Sequence, residues 1–155
     1  MKKIIIVIML LLLSNASLAA SSSGGGDSKD NLYRDAKKLI LRAKKFEKKS
    51  EIDKALKLYS KAYDKLTKAY EKDKKNADIL NYLGYALRKT GDFEKAEKYY
   101  LKGLELDAEH LGINEYLGEL YVQTNRIDLA KKRLEVLSSC KCEEYEELKE
   151  LIEKK

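Results

Sequence analysis

Apolar residues recur every three or four positions along most of the chain, which is the spacing of one face of an α-helix. The longest such stripe predicts a single helix at about 51–73, and a shorter stripe predicts a helix at about 30–48 before it. A third stripe, over 143–153, predicts a last helix. Proline is absent, and Ala, Leu, Glu and Lys dominate the second half, so the sequence predicts an all-α fold.

Between the long stripe and the last one, the sequence repeats itself with a period of 34 residues. Four pairs share that offset: Tyr82 and Tyr116, Leu83 and Leu117, Gly84 and Gly118, and Ala96 and Ala130. A fixed period of this length indicates stacked helix–turn–helix units, each of which buries its apolar face against the next.

On these residues the chain resembles the tetratricopeptide repeat family, with one repeat at 77–110 and another at 111–144. In the first repeat the family's motif positions are occupied by Leu80, Leu83, Gly84, Leu87, Gly91, Phe93, Ala96, Tyr100, Gly103 and Ala108. The resemblance implies a solenoid of about three antiparallel helical hairpins. Residues 31–76 would form a divergent, lengthened first hairpin, and 145–155 a C-terminal capping helix.

Small residues in the repeat carry specific expectations about packing. Gly84 and Gly118 are expected where two helices of a hairpin approach closely, with Ala96 and Ala130 facing them. Gly91 is expected to adopt the left-handed conformation between two helices, which glycine does at no steric cost.

The N-terminal part of the chain has the pattern of a secretory signal peptide. A positively charged start precedes ten apolar residues at 4–13, and small residues fit cleavage after Ala19 or Ala20. The apolar run is shorter than the about 20 residues of a membrane span. We therefore expect a signal peptide at 1–20, a flexible linker at 21–30, and export to the periplasm of a Gram-negative bacterium or otherwise secretion. An uncleaved N-terminal anchor is the alternative.

Charge and motifs limit the classes of function. The 32 basic and 26 acidic residues are interspersed, which favours a solvated surface over the clustered basic face of a nucleic-acid-binding protein. The sequence has no Ser/His/Asp set, no histidine cluster and no glycine-rich phosphate loop, so we expect neither an enzyme nor a bound metal or cofactor. The single histidine, His110, lies between repeats and is expected to satisfy a helix end.

The resemblance implies a binding face formed by the first helices of the hairpins. The family's groove positions correspond to Asp78, Asn81, Tyr85, Arg88 and Lys89, and then to Gly112, Glu115, Glu119, Val122 and Gln123, with Tyr82 and Tyr116 beside them. This implies a protein–protein scaffold that binds a peptide or a partner helix. Because one side of the groove would be basic and the other acidic, a partner of mixed charge is expected.

Cys140 and Cys142 form the remaining distinctive feature. In an oxidising compartment they are candidates for a disulfide, which we expect to staple the turn into the last helix with little effect on stability. Two alternative functions stay open: a redox or thiol-carrier protein that uses this pair, and a structural subunit of a self-assembled envelope complex. The sequence decides neither the oligomeric state nor whether the first hairpin occludes the groove.

Overall fold

The computed structural model describes residues 28–155, and these residues form seven α-helices without any strand. The helices are α1 (Lys29–Glu47), α2 (Ile52–Lys72), α3 (Ala77–Lys89), α4 (Phe93–Leu106), α5 (Leu111–Gln123), α6 (Ile127–Leu137) and α7 (Glu143–Glu153). The predicted signal peptide at 1–20 and the predicted linker up to residue 27 lie outside the described residues. Three hairpins, α1/α2, α3/α4 and α5/α6, pack in series and α7 follows, which confirms the predicted all-α solenoid of helical hairpins.

Each hairpin turns at one residue with a left-handed backbone. These residues are Ser50 (φ 58°), Gly91 (φ 91°) and Asn125 (φ 59°), and the expected conformation of Gly91 is therefore confirmed. Gly91 and Asn125 are 34 residues apart, whereas Ser50 and Gly91 are 41 apart. The first hairpin thus uses the same kind of turn with longer helices: α2 has 21 residues where α4 has 14.

The connections between hairpins also follow the repeat. Asp73 ends α2 and Asp107 ends α4, and each carboxylate accepts a hydrogen bond of 3.2 Å from the backbone N–H two residues further on. Asn76 and His110 then cap the N-termini of α3 and α5. The expected role of His110 at a helix end is confirmed, since its Nδ1 accepts from the Ile113 N–H at 3.2 Å. The residues that form the junction between two hairpins therefore recur at the same 34-residue spacing.

Gly84 lies where α3 and α4 approach closely, as expected, but its nearest neighbour is not Ala96. A Cβ at Gly84 would lie 2.5–2.8 Å from three ring atoms of Tyr100, whose side chain is fully buried. Helical side chains lean towards the N-terminus of their helix, so the Tyr100 ring lies over the preceding turn, where Ala96 leaves room for it. The side chain that approaches Gly84 most closely is therefore that of Tyr100.

Gly118 is a point of contact between α5 and the last helix. A Cβ there would first meet the side chain of Leu148 on α7. Leu148 is fully buried, so α7 covers the end of the core that α5 would otherwise expose. Within residues 28–155 no helix is both long enough and apolar enough to span a membrane.

Candidate binding groove

An open groove crosses the first helices of the hairpins, and its floor is formed by α3 and α5. Its main cavity has a volume of about 590 Å³, and a smaller cavity of about 180 Å³ lies between Lys44 of α1 and Glu147 of α7. We call these two cavities together the groove. Tyr33 of α1 lines the main cavity, so the first hairpin forms one wall of the groove and leaves it open.

Tyrosine rings form the apolar part of the groove. Tyr33, Tyr82 and Tyr116 line it, and the edge of Tyr33 meets the ring of Tyr82 with centroids 5.7 Å apart. Tyr116 packs in turn on the buried ring of Tyr85, with centroids 4.7 Å apart. The ammonium group of Lys44 lies 5.1 Å from the Tyr85 centroid and 5.8 Å from that of Tyr116. These distances are typical of cation–π contacts, so the aromatic surface is already arranged to receive cations.

The two predicted basic groups on α3 are held in ion pairs within the chain. Nη1 of Arg88 lies 2.7 Å from Oε2 of Glu119, and only 2% of the Arg88 side chain is exposed. Nζ of Lys89 lies 2.7 Å from Oε1 of Glu47. The basic side of the groove therefore comes from α1, through residues such as Lys44, and the Arg88 guanidinium is engaged by Glu119.

Three carboxyl groups converge at the other side of the groove. One oxygen from each of Glu115, Glu119 and Glu147 lies within 4.8 Å of the others. Glu115 is only 5% exposed, and burial, a hydrogen bond with Glu147 and the nearby negative charges raise its pKa to about 9. A cluster of carboxyl groups such as this one can hold a proton or bind a cation, although Arg88 already neutralises Glu119.

Asn81 lies in the floor of the main cavity next to Gly112. A side chain at Gly112 would collide with the Asn81 amide, since its Cβ would lie 2.8 Å from Nδ2. Asn81 is 4% exposed, and its Oδ1 has no hydrogen-bond partner among the described residues. Asp78 lies at the exposed rim, 3.3 Å from Nε2 of His110.

The structure brings most of the predicted binding residues together around this groove. Six of them line its two cavities: Asp78, Asn81, Tyr82, Gly112, Glu115 and Tyr116. The other six line neither cavity: Tyr85, Arg88, Lys89, Glu119, Val122 and Gln123. Tyr85, Arg88 and Val122 are buried, and Lys89 and Glu119 are held in ion pairs within the chain. The predicted groove positions include no residue of α1 or α7. Both helices nevertheless line the groove, through Tyr33, Lys37 and Lys44 of α1 and Glu143, Glu144 and Glu147 of α7.

Cys140 and Cys142 are paired at the turn between α6 and α7, with Cα atoms 5.2 Å apart. Neither cysteine lines either cavity. The disulfide therefore lies directly before the N-terminus of α7, where it constrains the turn that leads into that helix.

Hairpins in series, a left-handed residue at each turn and a groove across the first helices define a helical-repeat solenoid. Residues 36–109 match the sequence model of the tetratricopeptide repeat family. The matched region therefore contains tetratricopeptide-type repeats, and it includes most of the first hairpin and all of the α3/α4 hairpin.

Similar proteins agree on the fold. A stretch of 64 residues, 41% of this chain, is 33% identical to the mouse (Mus musculus) protein O-mannosyl-transferase TMTC3, of which it spans only 7%. The second TPR domain of human RPAP3, solved in complex with an HSP70 peptide, is similar in structure: the TM-score is 0.54, the identity 21%, and 83% of this chain and 100% of that chain are covered. The chaperone SycD of Yersinia enterocolitica, in complex with a peptide of the translocator YopD, gives a TM-score of 0.55 at 15% identity, covering 78% of this chain and 88% of that one.

Proposed function

We propose that this protein is an exported scaffold whose groove binds a peptide segment or helix of a partner protein. The observation that carries the proposal is the floor of the groove. It combines tyrosine rings with the buried amide of Asn81, whose oxygen lacks a partner within residues 28–155. Apolar area together with a small number of buried polar groups is the usual composition of a recognition site.

The similar structures support the same kind of ligand. RPAP3 and SycD were each solved with a peptide bound, and both share the hairpin fold of this chain. Their identity to this chain is low, so the choice of peptide has to come from the side chains of this groove.

Photo-crosslinking can test the groove as the binding surface. A photoreactive amino acid in place of Tyr116, on the groove floor, should capture a partner that the same group at Leu101, on the exposed second-helix face, does not. The Tyr82→Ala/Tyr116→Ala variant should then bind the captured partner about tenfold more weakly, because aromatic anchors contribute strongly to recognition. Equal capture at both positions, or unchanged affinity of the double variant, would remove the groove from the proposal.

Export is proposed on the pattern of the first 20 residues. Mass spectrometry of the N-terminus of the chain isolated from its own cells is the direct test. We expect the chain to begin at Ala20 or Ser21, and recovery of a chain that still begins with Met1 would contradict cleavage.

A further inference from the structure

The charge in the groove is opposite to that of the whole chain. The protein carries 32 basic and 26 acidic residues. The two cavities of the groove, however, are lined by seven carboxylates and two lysines, Lys37 and Lys44. The start of α7 contributes part of this excess, and acids there also complement the helix dipole. Glu115 lies in the interior of α5, where no such structural reason applies.

Glu115 and Glu147 lack a cationic partner of their own. Glu119, the third member of the cluster, is neutralised by Arg88 at 2.7 Å. Neither Glu115 nor Glu147 forms an ion pair in the part of the chain that the structure describes. A buried carboxyl group usually has a charge partner or keeps its proton, and here a proton takes the place of the missing cation.

Asn81 provides an independent observation on the same groove. Asn114, the other buried asparagine of residues 28–155, is satisfied on both sides: its Nδ2 donates to two carbonyl groups and its Oδ1 accepts from Arg133. Asn81 is 4% exposed and its Oδ1 accepts nothing from residues 28–155. Buried polar atoms are rarely left unpaired, so an exception in a cavity indicates a donor that arrives with a ligand.

Both observations indicate a ligand that supplies positive charge and N–H donors. The chain's own cations already occupy the tyrosine rings, since Lys37 lies 5.5 Å from the Tyr82 centroid and Lys44 lies 5.8 Å from that of Tyr116, so the carboxyl groups are the partners left for the ligand's positive charge. A divalent cation fits less well, since Arg88 occupies the carboxylate that would complete its ligand set.

We propose that the groove recognises a peptide segment carrying an arginine or lysine side chain, which ion-pairs with Glu115 and Glu147 while Asn81 Oδ1 accepts an N–H from the peptide. This rests on the proposed function, because it specifies the ligand of the same groove. An arginine fork can reach two carboxylates at once, so arginine is the better ligand of the two. Binding of the cation favours the ionised form of Glu115, whose proton is released to solvent, and an acidic peptide is repelled.

Selection from a library of random linear peptides on the purified protein tests this ligand. We expect the selected peptides to be enriched in Arg and Lys and depleted of Asp and Glu relative to the starting library. A selected basic peptide, made synthetically, should bind the Glu115→Gln/Glu147→Gln variant at least about tenfold more weakly, the effect of losing charge-assisted hydrogen bonds. The matched control, Glu94→Gln/Glu146→Gln, removes two exposed acids outside the groove and should bind normally.

The possible outcomes separate this proposal from the one on which it rests. If no peptide binds above background, the peptide-binding function itself fails. If peptides bind but show no basic preference, or ignore the Glu115/Glu147 substitutions, the basic ligand is refuted and the scaffold function stands. Calorimetric binding of Ca²⁺ or Mg²⁺ that the same double variant abolishes would replace the peptide cation with a metal. Circular dichroism checks folding, and Glu147→Gln alone, at an exposed position, serves if the double variant unfolds.

Discussion

Replacing Arg88 with methionine should destabilise the protein markedly, although the fold should survive. Methionine keeps much of the aliphatic volume against Tyr85 and Tyr116, whose ring centroids lie 5.4 and 5.7 Å from the guanidinium carbon. What is lost is the ion pair with Glu119. Because the Arg88 side chain is only 2% exposed, the substitution removes a buried charge and leaves Glu119 without its partner beside two other carboxyl groups.

Breaking a buried ion pair by removing one partner costs about 3–5 kcal/mol. Glu119 retains 21% exposure and can recover some hydration, so we expect a value at the lower end, about 3 kcal/mol. This loss is a large part of the free energy of unfolding of a typical domain, which is about 5–15 kcal/mol. Removing both charges, in Arg88→Met/Glu119→Met, should bring stability back to within about 1 kcal/mol of the original protein.

Urea unfolding followed by the helical circular dichroism signal measures both effects. The urea concentration at the midpoint of unfolding should fall in Arg88→Met and recover in Arg88→Met/Glu119→Met. The slope of the free energy of unfolding against urea concentration should be unchanged in both. A loss below about 1 kcal/mol in the single variant, or a double variant whose loss equals the sum of the two single losses, would show that the pair is not coupled as the structure indicates. Arg88 would then be free to act on a ligand instead.

Three further substitutions have defined outcomes. Glu115→Gln should raise the melting temperature at pH 8 but hardly at pH 5. Folding raises the pKa of Glu115 from 4.5 to about 9. Between these values the unfolded chain is favoured because its Glu115 can ionise, and glutamine removes this loss of stability. Gly84→Ala should destabilise by about 1–2 kcal/mol, since overpacking against the Tyr100 ring exceeds the gain in helix propensity. Cys140→Ser/Cys142→Ser should lower the free energy of unfolding by less than about 2 kcal/mol, because so short a loop constrains the unfolded chain little.

Two of these predictions have a matched control. Glu146→Gln, which removes an exposed acid of α7 outside the groove, is the matched control for Glu115→Gln. Gly91→Ala meets no atom within 4 Å, so its cost should come from the backbone alone, at φ 91°. If Gly84→Ala stabilised the protein, the close approach to Tyr100 would be wrong. A loss of partner binding in the cysteine variant would favour a functional pair over a local staple.

Asn81 offers a way to separate binding from stability. Replacing a buried, unpaired amide by an apolar side chain of similar shape, as in Asn81→Leu, can be neutral or stabilising for the fold. The same change should weaken a ligand that donates to Oδ1. Greater stability together with weaker binding is the behaviour expected of a recognition residue, whereas a purely structural residue would not weaken binding.

The sequence by itself determined the elements and their order. The apolar periodicity placed α1, α2 and α7 to within about two residues, and the 34-residue offset located the two regular hairpins. These features are local: a stripe has to match 3.6 residues per turn, and a turn such as that at Gly91 needs a residue that tolerates positive φ.

Only the tertiary structure decided which groups share the groove and which are free to bind. Arg88 and Glu119 are 31 positions apart in the chain, and their pairing removes a charge that the repeat pattern had presented as available. Similarly, α1 and α7 supply the walls of the groove because they pack beside α3 and α5, a relation that the periodicity of each helix does not contain. A helical stripe specifies the face that is buried, but the partner of each polar side chain depends on which helix packs against it.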